Sequence, residues 1–106
     1  MPELSAEDQK LVTLARATMA RTRATEGAAV RDLDGRTYAA AAVELEHLRL
    51  TALEVCVAMA LSSGAVGLEA VVRLGGAGAP DLGAVRDLAG DDVVVHVGDA
   101  RGQITS

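Results

Sequence analysis

Few side chains in this sequence could do chemistry. Glu44, Glu54 and Asp81 are the acids that could serve as proton donors or acceptors, Cys56 is the one thiol, and His47 and His96 are the only imidazoles. No pair among His47, His96, Asp81 and Cys56 has a metal-ligand spacing, so no metal is expected from them. Cys56 lies inside an apolar run, where cysteine is most simply a small buried hydrophobe, and no base stands beside it to make it a nucleophile. His96 sits among valines and reads as a packed or edge residue of a strand. Asp91 and Asp92 are adjacent, so in a strand they point to opposite faces; they read as a solvated turn. Gly75, Gly76 and Gly78 lack the spacing of a phosphate-binding loop and read as a flexible strand-to-helix connection.

The chemistry that remains needs elements to position it. At 106 residues there is room for one domain, residues 1–106, with one core. Half the residues are apolar, but there is no Phe or Trp and only one tyrosine, Tyr38. Small aliphatics bury little area per residue, so a chain this short is expected to gain stability by burying surface between subunits. The net charge is −5, and the basic residues, all Arg except Lys10, are scattered. A nucleic-acid backbone site needs a basic stripe, and single strands need stacking aromatics, so nucleic acid is not expected as a ligand. One cysteine permits no intrachain disulfide. Met1-Pro2-Glu3-Leu4 begins no basic-then-apolar leader, and no apolar stretch approaches a membrane span of about 20 residues. A cytoplasmic protein with no membrane partner is expected.

Ser5 and Asp8 make a capping-box-like start, and Leu11, Leu14, Ala15, Thr18 and Met19 recur at helical spacing, with an end somewhere before Gly27. Residues 27–30 and 37–43 read as strands flanking Asp34-Gly35, a hairpin signal because both turn residues can take positive φ. Residues 51–63 form the most informative helix. Thr51 and Glu54 make a capping box, which by itself accounts for Glu54, and the residues that follow are apolar on every side. Such a helix must be covered all round, one face by a sheet and another by a second subunit; Val55 and Met59 are the residues expected at that interface. Residues 68–74 and 93–97 are strands, and the continuous Val93-Val94-Val95 has the pattern of a central parallel strand. Between them residues 81–88 form a short helix that Asp81 is expected to cap, and residues 103–106 could begin a last strand. The order α-β-β-α-β-α-β predicts a three-layer α/β fold, a mixed sheet with helices on both faces.

That order resembles the cytidine deaminase family, and several phrases carry the resemblance. Gly27-Ala28-Ala29-Val30 leading to Asp34-Gly35 is similar to the family's first hairpin. Thr51-Ala52-Leu53-Glu54 stands where C-A-E-R opens the central helix, which ends here in Ala60-Leu61-Ser62-Ser63-Gly64, similar to the family's A-x-S-x-G. Pro80-Asp81-Leu82-Gly83-Ala84-Val85-Arg86 resembles the P-C-G-x-C-R turn with one residue inserted. In this family a zinc ion held by one His or Cys and two Cys activates a water, and a glutamate shuttles its proton.

The resemblance places Thr51 at the first ligand, Leu53 at the glutamate, Asp81 or Leu82 at one cysteine and Val85 at the other. Leucine carries no proton, and Thr51 with Val85 holds no zinc, so zinc and catalysis are expected to be absent. A one-residue shift would put Glu54 on the glutamate and Ala52 on the first ligand, but the cysteines would still be missing. The family's nucleoside-holding N-V-E segment is matched by Ala42-Val43-Glu44, of which Glu44 alone remains. The expected function is a catalytically inactive, oligomeric scaffold or interaction protein, a homodimer or homotetramer with a possible unknown protein partner. The alternative is a nucleoside- or nucleotide-binding module using a residual cleft near Glu44, Thr51, Glu54 and Asp81. An enzyme with altered catalytic residues comes third.

Overall fold

The computed structural model describes residues 4–106; Met1, Pro2 and Glu3, part of the leader reading, lie outside the described residues. The elements run α1 (Ala6–Thr22), β1 (Glu26–Asp32), β2 (Thr37–Ala41), β3 (Val43–Glu44), β4 (Arg49–Leu50), α2 (Ala52–Ser62), β5 (Leu68–Gly75), α3 (Gly83–Ala89) and β6 (Val94–Gly98). Four strands form one sheet in the order β2-β1-β5-β6, with β1 antiparallel to both neighbours and β5 parallel to β6. The sheet is mixed and has helices on both faces, as the sequence predicts.

Alternation along the strands separates two cores. Ala29 on β1 with Ala70, Val72 and Leu74 on β5 meets Leu11, Val12, Ala15 and Met19 of α1. Ala28 and Val30 on β1 with Val71 on β5 meets Leu53, Cys56, Val57 and Ala60 of α2, with Val85 of α3 filling in behind. Small residues let the layers close up: a Cβ on Gly27 would lie 2.4 Å from Met19 Cγ. By the same alternation Arg31 points to the α1 side, with Ala29, and Arg73 to the α2 side, with Val71.

Several expectations need correction. Only Gly35 of the Asp34-Gly35 turn has positive φ (+88°). The loop is longer than two residues, and Asp32 organises it by accepting the N–H groups of Asp34 and Arg36 and the hydroxyl of Tyr38. The strand expected over 37–43 stops at Ala41, because Ala41 pairs with Gly27 near the head of β1 and the partner strand runs out there. Val43–Glu44 instead pairs with Arg49–Leu50 as a separate hairpin that the sequence reading missed. The valine run is parallel to β5 but lies at the sheet edge, with Val94 47% exposed. Residues 103–106 return beside it with a single bridge, Gly98 to Ile104, rather than a strand. Asp8 does not complete a capping box: Ser5 Oγ accepts its N–H at 3.0 Å, but its carboxylate turns to Arg31 and His96. Asp81 does not cap α3 at its N-cap position, which is Leu82; its carboxylate accepts the Gly83 N–H at 2.9 Å, closing a turn ahead of the helix.

Candidate functional site

The first turn of α2 is capped by side chains at the N–H groups of Ala52 and Glu54. Thr51 Oγ1 accepts the Glu54 N–H at 3.1 Å, and Glu54 Oε1 accepts the Thr51 N–H at 2.8 Å, the reciprocal box the sequence predicts. The next free N–H, that of Ala52, donates at 3.0 Å to Oε1 of Glu26, a residue the sequence reading did not single out. Two hollows adjoin here. One of about 360 Å³ is lined by Glu26, Glu44, Arg49, Leu50, Thr51 and Glu54. The other, about 180 Å³, is lined among others by Glu26, Thr51, Leu53, Arg73, Pro80 and Asp81.

The structure therefore brings Glu44, Thr51 and Glu54 together round the first hollow and Thr51, Leu53 and Asp81 round the second. Val85 is not among them; it is wholly buried in the core beside Leu53, and Ala52 is equally buried. A wider hollow of about 660 Å³ is lined by Arg73 and the 75–78 loop together with Thr25, Gly98, Asp99 and Thr105, and contains none of Glu44, Thr51, Glu54 and Asp81. The absence of Glu44, Thr51, Glu54 and Asp81 from it makes the two smaller hollows the candidate site.

The unexpected occupant is Arg73. It is 2% exposed, and its guanidinium donates through Nη1 to the Gly75 carbonyl at 2.7 Å and through Nη2 to the Gly78 carbonyl. Nη1 lies 3.7 Å from Glu26 Oε2, and Nε makes no hydrogen bond to the described residues. The glycine loop thus turns carbonyls toward a cation, whereas a phosphate cradle turns N–H groups toward an anion. Gly76 is required by the tight pass: its φ is +73°, and a Cβ there would sit 2.1 Å from Arg73 Nη1.

On the opposite face of the sheet a second buried group gathers. Arg31 Nη2 donates to Asp8 Oδ1 at 2.7 Å, its Nε donates to Glu69, and His96 Nε2 lies 2.9 Å from Asp8 Oδ2. His96 is thus both a packed and an edge residue. His47 lies exposed in the β3–β4 connection. Among the described residues no three His, Cys, Asp or Glu side chains converge as metal donors would.

Cys56 is buried, and burial pushes its thiol up to about 12. The thiolate needed for nucleophilic attack is scarce near neutral pH. Iodoacetamide should leave Cys56 unmodified in the folded protein and modify it fully in denaturant, as read by intact mass; rapid labelling of the native state would contradict the burial.

The family model described as cytidine deaminase-like matches residues 4–102. The chain belongs to the cytidine deaminase-like family. Among solved structures, it is similar to the cytidine deaminase of Burkholderia pseudomallei, with a TM-score of 0.76 and 22% identity over 96% of this chain and 91% of that one. It is also similar to the cytidine deaminase of Mycobacterium leprae, with a TM-score of 0.72 and 19% identity over 88% of this chain and 89% of that one. No curated protein matches the chain. Likeness at this identity carries the deaminase fold and not the chemistry, which must come from the side chains already described. Within this deaminase-like chain, positions 51 and 81, which the resemblance makes ligand positions, do line one hollow. No helix of the described residues is long and apolar enough to cross a membrane.

Proposed function

We propose that this chain is a catalytically silent cytidine-deaminase-like subunit that acts as an oligomeric scaffold or interaction protein in the cytoplasm. The observation that carries the reading is the content of the smaller hollow: Leu53, the engaged Thr51 hydroxyl and the Glu26–Arg73 pair where the family's chemistry calls for thiolates and a proton-carrying glutamate. Zinc does not fit this donor set. A threonine hydroxyl committed to a helix cap and a core valine supply no soft or imidazole ligand, which leaves the Asp81 carboxylate as the one donor at the ligand positions, beside a guanidinium. The one-residue shift that would make Glu54 the proton carrier is disfavoured by its short bond to the Thr51 N–H.

The scaffold half of the reading rests on surface left apolar. Leu61 on α2 is 60% exposed, and Val55 and Met59 on the same helix are half-buried in the single chain. Elemental mass spectrometry for zinc, paired with an ultraviolet assay of cytidine and deoxycytidine deamination, tests the silent half. We expect zinc far below one per subunit and no turnover above the blank. One zinc per subunit with measurable turnover would overturn it.

A nucleoside- or nucleotide-binding module is the second reading, favoured by the open hollow of about 360 Å³ that keeps Glu44 and Glu54 on its rim. A ligand that binds only the folded state must raise the melting temperature. A thermal-shift panel of nucleosides and nucleotides with no shift removes this second reading.

A further inference from the structure

We infer that the Glu26–Arg73 pair makes, without a metal, the join between the first turn of α2 and the 75–81 loop. The inference rests on the silent-subunit reading above. A metal held by residues at the heads of α2 and α3 would join two segments and place positive charge between them. Here the positive charge comes from β5 as Arg73, and the join is made by hydrogen bonds on either side of one ion pair at 3.7 Å. Glu26, at the head of β1, accepts the Ala52 N–H with one carboxylate oxygen and faces Arg73 with the other. Arg73 passes the connection on to the carbonyls of Gly75 and Gly78. One chain of polar contacts therefore runs from α2 through β1 and β5 into the loop that carries Pro80 and Asp81.

Three further observations belong to the same device. Both partners are largely withdrawn from solvent, with side-chain exposures of 3% for Arg73 and 19% for Glu26, so the pair is little screened. The two charges offset each other, so the pair itself adds no net negative charge to attract a dication. Gly76, whose φ of +73° already favours glycine, passes close to both partners: a Cβ there would meet Arg73 Nη1 at 2.1 Å and Glu26 Oε2 at 2.8 Å.

The test compares wild type, Arg73→Met and Glu26→Gln by thermal melting with and without EDTA, and by hydrogen–deuterium exchange. Arg73→Met keeps the apolar stem and deletes the charge and donors; its melting temperature should fall by at least about 10 °C. Exchange should accelerate first at residues 52–54 and 76–79, ahead of the sheet. Glu26→Gln keeps an acceptor for the Ala52 N–H and loses the charge, so it should give a smaller fall with the same local pattern, and it serves if Arg73→Met does not fold. EDTA should not move the wild-type melting temperature. A variant melting within about 2 °C of wild type, or exchange unchanged at both segments, would overturn the clamp alone. An EDTA-sensitive wild type restored by zinc would overturn both the clamp and the reading beneath it.

Discussion

Arg31→Met should lower the free energy of unfolding by about 3 kcal/mol near neutral pH, and the gap from wild type should close as the solution is acidified. Arg31 is 8% exposed between α1 and the sheet, where it bridges Asp8 on α1 and Glu69 on β5. Removing one partner of a buried ion pair costs more than the pair contributes, because the other charge is stranded. Here the stranded group is Asp8, left with His96 alone; Glu69, more than half exposed, recovers its hydration and adds little. Burial alone would raise the Asp8 carboxyl, but hydrogen bonds from Arg31 and His96 outweigh it and hold the group below the usual carboxylate range.

A depressed carboxyl contributes stability above its unfolded pKa and loses it as pH falls through the folded value. Wild type therefore loses the Asp8 contribution in acid, whereas the variant never has it. Urea melts from about pH 5 down to about pH 2 should show the two curves converging. A gap that stays constant with pH would mean Asp8 is not the group Arg31 serves. Asp8→Leu added to Arg31→Met should recover part of the loss, since a dry apolar pair replaces a stranded charge.

Met59→Asp should convert the proposed oligomer to monomer. α2 carries one charged residue, Glu54 in its first turn, so it has no polar face to give to water. Its sheet face takes Leu53, Cys56, Val57 and Ala60 into the core, and the face with Val55, Ala58 and Met59 lines an open hollow with Tyr38. A carboxylate at position 59 would be buried without a partner in any contact that covers this face. A penalty of about 3 kcal/mol or more weakens association over 100-fold. Size-exclusion chromatography with light scattering reads the outcome, and an oligomer of unchanged mass would remove α2 from the interface.

Much of this was legible before any coordinates. The Thr51–Glu54 box was readable because capping is local, with donor and acceptor three residues apart. The layer order was readable because hydrophobic period switches between helix and strand. The edge position of β6 was not: Val93-Val94-Val95 reports a buried-type composition, and strand order depends on which partners arrive from elsewhere in the chain. The β3–β4 hairpin was missed because its turn, in Leu45-Glu46-His47-Leu48, has no Gly, Pro or Asn to announce it. Arg31 was missed because its partners come from distant elements, and Arg73 because it bonds nearby backbone carbonyls that no side-chain pattern marks, with its counter-charge Glu26 on another strand. A signal existed, though. Arg31 follows Ala28-Ala29-Val30 and Arg73 follows Val71-Val72, and a lone arginine inside an apolar strand must find a counter-charge when the strand is buried.

On the proposed silent-subunit reading, the capping box also bears on what building a metal site here would cost. Exchanging Thr51 for cysteine would give up a helix cap worth about 1 kcal/mol. Placing glutamate at position 53, 2% exposed and packed on the core, would cost several times that until a metal or substrate repaid it. Introducing thiolates near Arg73 would pull the guanidinium from Glu26 and loosen the loop it holds. On that reading each single change lowers stability before it supplies any chemistry, so a metal site here would have to be built against the fold.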